Sequence, residues 1–329
     1  MVGKNLLKKV AVFLVGLVFL VGCSEQTTSD NQEKMIQVGI SQIIEHPALD
    51  AARKGFEDAL EEEFSGKINI DFQNAQGDIP TAQAIAQNFV SQKKDMIFAI
   101  ATPAVQAAFN ATKEIPIVMA AVTDPVEAEL VKSLEKPGTN VTGTIDMAPM
   151  NKQFQLLKTI VPNAKKVGIL YNTSEINSEI QMKMAKNEAK KLGLEVIASG
   201  VTNVNEVSQA LSILSKDIDV LYTPTDNLVA SSMTLITEEC TKKGIPVIGA
   251  EEAHVKGGAL ATEGIDYYKS GFEAGKIASE ILKGKDPKEI PIGLPKDTQL
   301  VINMDTAKKL NIQIPKELES KAEMIGSGE

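Results

Sequence analysis

Lys166-Val167-Gly168-Ile169-Leu170-Tyr171-Asn172, near the middle of the chain, echoes an earlier stretch, Gln37-Val38-Gly39-Ile40-Ser41-Gln42. Each is a short apolar run that ends in polar residues, and a helical pattern follows each. The echo continues downstream. Asp95-Met96-Ile97-Phe98-Ala99-Ile100-Ala101-Thr102-Pro103 is matched by Asp219-Val220-Leu221-Tyr222-Thr223-Pro224, and Ile115-Pro116-Ile117-Val118 by Ile245-Pro246-Val247-Ile248. The chain therefore reads as two similar α/β halves, each restarting at a Val-Gly-Ile strand, with a cleft between them.

Within each half, strands and helices alternate. The first half runs strand Ile36–Ser41, helix from Pro47 to Phe64, strand Ile68–Phe72, helix Thr81–Gln92 and strand Asp95–Ile100. A helix opened by Thr102-Pro103 follows, then strand Ile117–Ala120 and a fourth helix opened by Asp124-Pro125. The second half repeats the order, with strands at Val167–Tyr171, Leu194–Ala198, Val220–Tyr222 and Val247–Ile248. Such alternation predicts parallel sheets covered by helices on both faces. The expected fold class is α/β, two doubly wound parallel-sheet lobes. Helix Tyr267–Leu282 and strand Leu300–Asn303 look like a return that completes each lobe.

Bulk properties bound the function. At 329 residues the chain has room for about two domains. The formal net charge of −9 argues against nucleic acid, because phosphate binding wants a basic face. Arg53 is the only Arg and falls mid-helix, so an Arg fork for a ligand carboxylate is not expected. The start of the chain has a basic region, Lys4, Lys8 and Lys9, an apolar run Val10–Val21, and then Leu20-Val21-Gly22-Cys23. The run is short for a bilayer span and fits a secretory leader. The ending resembles a bacterial lipobox, so Cys23 is the expected lipid anchor, with residues 1–22 as leader and 23–34 as a polar, flexible tether. Cys240 has no imidazole near it in sequence and is expected to be a small buried hydrophobe.

Four strand ends share a design. Thr102-Pro103, Thr123-Asp124-Pro125, Asn172-Thr173-Ser174 and Thr225-Asp226-Asn227 each follow a strand and open a helix. In open parallel sheets ligands bind beyond the carboxyl ends of the strands, where helix N-termini offer free N–H groups. Ser, Thr, Asp and Asn are also the ordinary N-caps; it is their recurrence on one rim that points to a ligand site. The candidate ligand-binding residues are Gln42, Thr102, Thr123, Asp146, Asn172, Glu175, Ser178, Asp226 and Asn227. No Gly-x-Ser-x-Gly elbow, phosphate loop or Gly-x-Gly-x-x-Gly after a strand is found. No cofactor and no metal are expected. His254 is expected on a helix surface, and whether His46 and Glu251 line the cleft is left open.

From Ile36 onward the chain resembles the lipoprotein substrate-binding components of ABC importers of the tryptophan/tyrosine type. The stretches that carry the resemblance include Val38-Gly39-Ile40-Ser41-Gln42, His46-Pro47-Ala48-Leu49-Asp50, Ala101-Thr102-Pro103-Ala104-Val105-Gln106-Ala107 and Val122-Thr123-Asp124-Pro125. Further on they include Tyr171-Asn172-Thr173-Ser174-Glu175-Ile176-Asn177-Ser178, Pro224-Thr225-Asp226-Asn227 and Gly264-Ile265-Asp266-Tyr267. The resemblance implies a type I periplasmic-binding-protein fold with three crossover strands, placed near Asp146, Gly264 and Lys285. The lobes would then be 35–146 plus 264–285 and 147–263 plus 286–325. It also implies a binding protein rather than an enzyme, an aromatic amino acid as ligand, an ABC permease with its ATPase as partner, and a lipid anchor in the membrane. The chain is read as a monomer on the outer face of the cytoplasmic membrane. Asp226 is the expected partner of the ligand ammonium; Thr102, Thr123 and Ser178 are the expected partners of its carboxylate. Alternatives are a branched amino acid, a sugar or a nucleoside as ligand, or a sensor or enzyme using the same cleft. A repressor of this fold would carry a DNA-binding headpiece where this chain has a leader.

Overall fold

The computed structural model describes residues 35–147 and 149–326. The expected leader, Cys23 and the tether lie outside the described residues. The first part of the chain runs β1 (Ile36–Gln42), α1 (Pro47–Phe64), β2 (Ile68–Asn74), α2 (Ile79–Ser91), β3 (Met96–Ile100), α3 (Thr102–Ala111), β4 (Ile117–Val122) and β5 (Val141–Ile145). These strands form one parallel sheet in the order β2-β1-β3-β4-β5. β3, β4 and β5 are buried along their whole length, as strands covered on both faces must be.

The second part begins with α4 (Met150–Ile160), β6 (Lys166–Asn172), α5 (Ile176–Lys191), β7 (Glu195–Val201) and α6 (Val207–Leu214). It continues with β8 (Val220–Thr223), α7 (Asn227–Ser231), α8 (Met233–Lys242), β9 (Val247–Gly249), α9 (Glu252–Lys256) and β10 (Ala261–Gly264). After α10 (Tyr267–Leu282) come β11 (Gln299–Asn303), α11 (Met304–Lys309), α12 (Lys316–Glu319) and β12 (Glu323–Ile325). The second sheet has the order β12-β11-β10-β9-β8-β6-β7, parallel except where β10 meets β11. The two Val-Gly-Ile strands, β1 and β6, hold equivalent places. Each lies where strand order reverses, between β2 and β3 or between β7 and β8. The crevice beyond such a reversal is where doubly wound sheets bind ligands.

Helix α10 packs on α1 in the first lobe, as the sequence implied. The fit is backbone to backbone. A Cβ on Gly271 would stand 1.8 Å from the Ala52 carbonyl oxygen, and one on Gly55 would stand 2.1 Å from that of Tyr268. The first core has Phe56 stacked on Phe98 at 3.7 Å. The second has Phe154 against Tyr222 at 5.0 Å.

Two expectations need correction. The third passage between lobes falls later than Lys285. Ile290 and Ile292 are buried in the first core, Thr142 Oγ1 donates to the Ile290 carbonyl at 2.9 Å, and Gly293 bridges to Thr144 on the edge of β5. Residues 286–293, assigned to the second lobe from sequence, thus lie on the first. Asp124-Pro125 also opens no helix. Asp124 Oδ1 accepts the amides of Val126 and Glu127 at 3.0 Å each, but Glu129 is left-handed at φ 58°, and the segment closes as turns.

Candidate functional site

The ends of β6 and β8 build one wall. Asp226 is the N-cap of α7. Its Oδ1 accepts the Val229 amide at 2.9 Å and its Oδ2 the Asn172 amide at 2.5 Å. The Ser178 hydroxyl and the Leu228 amide also donate to it. A carboxylate has about four acceptor sites, and both oxygens of Asp226 are already engaged by backbone amides. It ties the end of β6 to the start of α7, and the expectation that it offers a carboxylate to an ammonium does not match this geometry.

Glu175 lies beside it at the start of α5. Its oxygens accept the side-chain amides of Asn172 at 3.0 Å, Asn177 at 3.1 Å and Asn227. Burial, then the nearby Asp226 carboxylate, pushes Glu175 up to about 7. A carboxyl group raised in the folded state destabilises when it ionises. Its contribution is therefore unfavourable above about pH 7 and vanishes as pH falls toward its unfolded value near 4.5. Gln at this position removes the titration but sets its own NH₂ against one of the donating side-chain amides. The Glu175→Gln variant should therefore show a melting temperature that falls less than the parent's between pH 5 and pH 8; thermal melts across that range check it.

The opposite wall belongs to the first lobe. Gln42, at the end of β1, donates to Asp50 Oδ1 at 2.8 Å and to the Ile44 carbonyl at 2.9 Å, and so holds the start of α1. His46 is the N-cap of α1 and is buried. Thr102 opens α3 behind Ala101, a left-handed residue at φ 77°. The hydroxyls of Ser41 and Thr102 are buried and have no hydrogen-bond partner. Asp146 follows β5. Its Oδ2 accepts the Tyr267 hydroxyl at 2.9 Å; its buried Oδ1 has no hydrogen bond of ordinary geometry, and the nearby Thr123 hydroxyl favours the charged form of the group. Burial pushes Asp146 up to about 6, against the lowering pull of the Tyr267 hydroxyl.

Contacts between the walls bring the lobes together. Gln181 on α5 donates to Thr123 Oγ1 at 3.0 Å across the cleft. Glu251 of the second lobe stands 3.9 Å from His46 Nδ1 of the first and 3.3 Å from His254 Nε2. Burial holds His46 below the ordinary imidazole value, against the pull of Glu251. Burial acts to raise Glu251, but the neighbouring imidazoles and hydrogen bonds outweigh it and hold the carboxyl below its ordinary value. His254, expected on a surface, is fully buried, with Nδ1 3.0 Å from Thr223 Oγ1. Gly249 makes that possible, since a Cβ there would stand 2.5 Å from the His254 Cβ.

Between the walls lies a narrow, partly open cavity of about 10 Å³, room for about one water. Asp146, Asp226 and Asn227, three of the residues expected from sequence, line it; so do His46, Glu251 and Tyr267. Gln42, Thr102, Thr123, Asn172, Glu175 and Ser178 do not line it. No Lys or Arg lines it. Arg53 packs over the Phe72 ring at 4.3 Å and pairs with Glu57 instead. Among the described residues no cluster suited to a metal is found. Cys240 is buried with its thiol pushed up to about 12 by that burial, a packing role. Gln181 went unread in the sequence, although it sits one turn beyond Asn177 and Ser178 on the same face of α5.

The family model for ABC transporter substrate binding proteins matches residues 37–325. The "Tyrosine-binding protein" of Clostridioides difficile is 50% identical, over 94% of this chain and 93% of that protein. A domain from Streptococcus pneumonia solved in complex with L-Trp is 36% identical, with a TM-score of 0.86 over 88% of this chain and 99% of that one. The ligand-free, open structure of a substrate binding protein with adhesive properties from Clostridium difficile is 50% identical, with a TM-score of 0.68 over the same shares. The fold is that of the type I periplasmic binding proteins, which bind ligands and are not enzymes. On its fold and on these matches, the chain belongs to the ABC transporter substrate binding protein family.

Proposed function

We propose that this chain is the extracytoplasmic receptor of an ABC importer, anchored by lipid at Cys23, and that it captures a zwitterionic amino acid with an aromatic side chain. The observation that carries the reading is Asp146. Asp146 lines an inter-lobe cavity that no Lys or Arg lines, and its buried Oδ1 has no hydrogen-bond partner of ordinary geometry. A buried carboxylate without a cation is costly, and a ligand ammonium at that oxygen would remove the cost. Ammonium pairing thus moves from Asp226, the sequence-based choice, to Asp146. The ligand carboxylate is assigned to the Ser41 and Thr102 hydroxyls and to the N-terminal amides of α3, all at the first sheet's strand reversal. Its side chain is taken as aromatic because the relatives at 50% and 36% identity are a tyrosine-binding protein and a domain solved with L-Trp.

Binding and release follow from hinge motion of the lobes. The Gln181–Thr123 bond and the Glu251–His46 pair are the contacts that closing makes and opening breaks. The backbone supports this. It is nearer to the L-Trp complex, at 36% identity, than to the open structure at 50% identity. The closed form then docks on the permease, whose ATPase drives transport. Calorimetry with L-tyrosine, L-tryptophan, L-phenylalanine, L-leucine, glucose and adenosine tests the ligand class. An aromatic amino acid should bind and the sugar and nucleoside should not. X-ray scattering should show a smaller radius of gyration at saturation. Binding only of glucose or adenosine, or an unchanged radius, would reject the reading.

A further inference from the structure

The inter-lobe cavity does not end at its polar wall. Beyond Thr225 lies a second narrow space, again about 10 Å³, and its lining changes character. Met147, Met150 and Met184 form much of it, and the same three side chains line the inner edge of a mouth open to solvent. Gln181 stands between the two spaces. Its Nε2 donates to Thr123 Oγ1 and to the Thr225 carbonyl, and its Oε1 accepts the Thr225 amide at 3.0 Å. Gln153 is also spent. Its Nε2 donates to the carbonyls of Ala250 and Glu263 at 3.1 Å each, and its Oε1 accepts the Tyr222 hydroxyl. With these polar atoms satisfied, the apolar surface left for a ligand is mostly thioether.

The space is narrow, so a ring enters only as its walls turn aside. Methionine allows this. It has three rotatable side-chain bonds, a polarizable sulfur and favourable contacts with ring edges, and it repacks around different shapes. Met184 is half-buried and faces the mouth, so it can move outward without emptying the core. We propose that this methionine-lined chamber receives the ligand side chain, and that Met147, Met150 and Met184 set a tolerant specificity in which aromatic side chains of different size bind comparably. This rests on the amino-acid reading above and goes further by naming the side-chain pocket and its selectivity.

Calorimetry on the full mature chain tests it with L-phenylalanine, L-tyrosine, L-tryptophan and L-leucine, on the parent, Met184→Phe and Met147→Ile. The parent should bind the three aromatic amino acids within about tenfold of one another. Met184→Phe fills the chamber and should weaken L-tryptophan at least about tenfold relative to L-leucine. Met147→Ile keeps the volume but stiffens one wall, and should widen the spread among the three aromatics. Melting curves identify a variant that fails to fold, and the other variant then decides. If an aromatic amino acid binds the parent but the folded variants shift all four ligands by one common factor, or none, the chamber assignment is wrong and the amino-acid reading stands. A parent that binds one aromatic amino acid more than about a hundredfold better than the others overturns the tolerance. If no amino acid binds the parent, both readings fall.

Discussion

Asp146→Asn should lose ligand affinity by at least about thirtyfold while melting no lower than the parent at pH 8. Truncating one partner of a buried, hydrogen-bonded charge pair costs about 2–5 kcal/mol, and about 1.4 kcal/mol is tenfold in affinity. The asparagine keeps an oxygen for the Tyr267 hydroxyl, so the wall is preserved and only the charge is removed. Stability should move the other way. Burial raises Asp146 to about 6 from an ordinary value of 3.8, so its ionised form destabilises the protein at pH 8, and the amide relieves that. The pH dependence gives a second reading of the same residue. Only the carboxylate pairs with an ammonium. Affinity in the parent should therefore hold above about pH 6 and fall by up to about tenfold per unit below it, while Asp146→Asn should lack that limb. Asp226→Asn is the contrasting variant. It disturbs a carboxylate that accepts the Asn172 and Val229 amides, so its main effect should be a lower melting temperature. If Asp226→Asn abolishes binding at unchanged stability and Asp146→Asn binds normally, the two assignments are reversed.

The contrast between the two acids shows what a sequence holds and what it does not. The paired Val-Gly-Ile strands were legible because both run into polar residues and both restart an alternation of strand and helix; they became β1 and β6 at the two strand reversals. Asp226 was legible as a polar residue opening a helix. Local pattern cannot say whether such a residue caps its helix or faces a ligand, because both uses need the same side chain at the same place. The difference lies in Asn172, far away in sequence, whose amide takes the second oxygen. The Glu251–His46 pair was illegible for a related reason: it joins two lobes, and no period within either lobe encodes it. His254 looked like a surface residue because a short helix between polar residues has no apolar period to read. Its burial depends on Gly249 and on the packing of three strands around α9. The third crossing slipped from Lys285 to beyond Gly293 because Gly284 and Pro287 mark the end of a helix, not the end of a lobe. Ile290 and Ile292 still had a sheet edge to cover.

Replacing Cys23 by Ala should move the protein from the membrane fraction to the soluble extracytoplasmic fraction. The argument is one of competing forces at the membrane surface. A single acyl chain gives only marginal, reversible attachment, whereas two chains add their burial free energies and hold firmly. No helix among the described residues is long and apolar enough to cross a membrane. The formal charge of −9 gives the body no attraction to anionic lipid headgroups, and loss of Lys4, Lys8 and Lys9 with the proposed leader would make it more acidic. The covalent lipid would therefore carry the whole attachment. Ser24 to Lys34 is eleven residues, which fully extended reach at most about 40 Å. That span is enough to keep an acidic body some Debye lengths from the surface while leaving it in reach of a permease in the same membrane. Fractionation of the parent and Cys23→Ala, each washed at low and high salt, separates the possibilities. The parent should stay with membranes in both washes, and the variant should leave in both. A variant that sediments with membranes after the high-salt wash would mean that something other than Cys23 holds the protein there, and the anchoring proposal would fail.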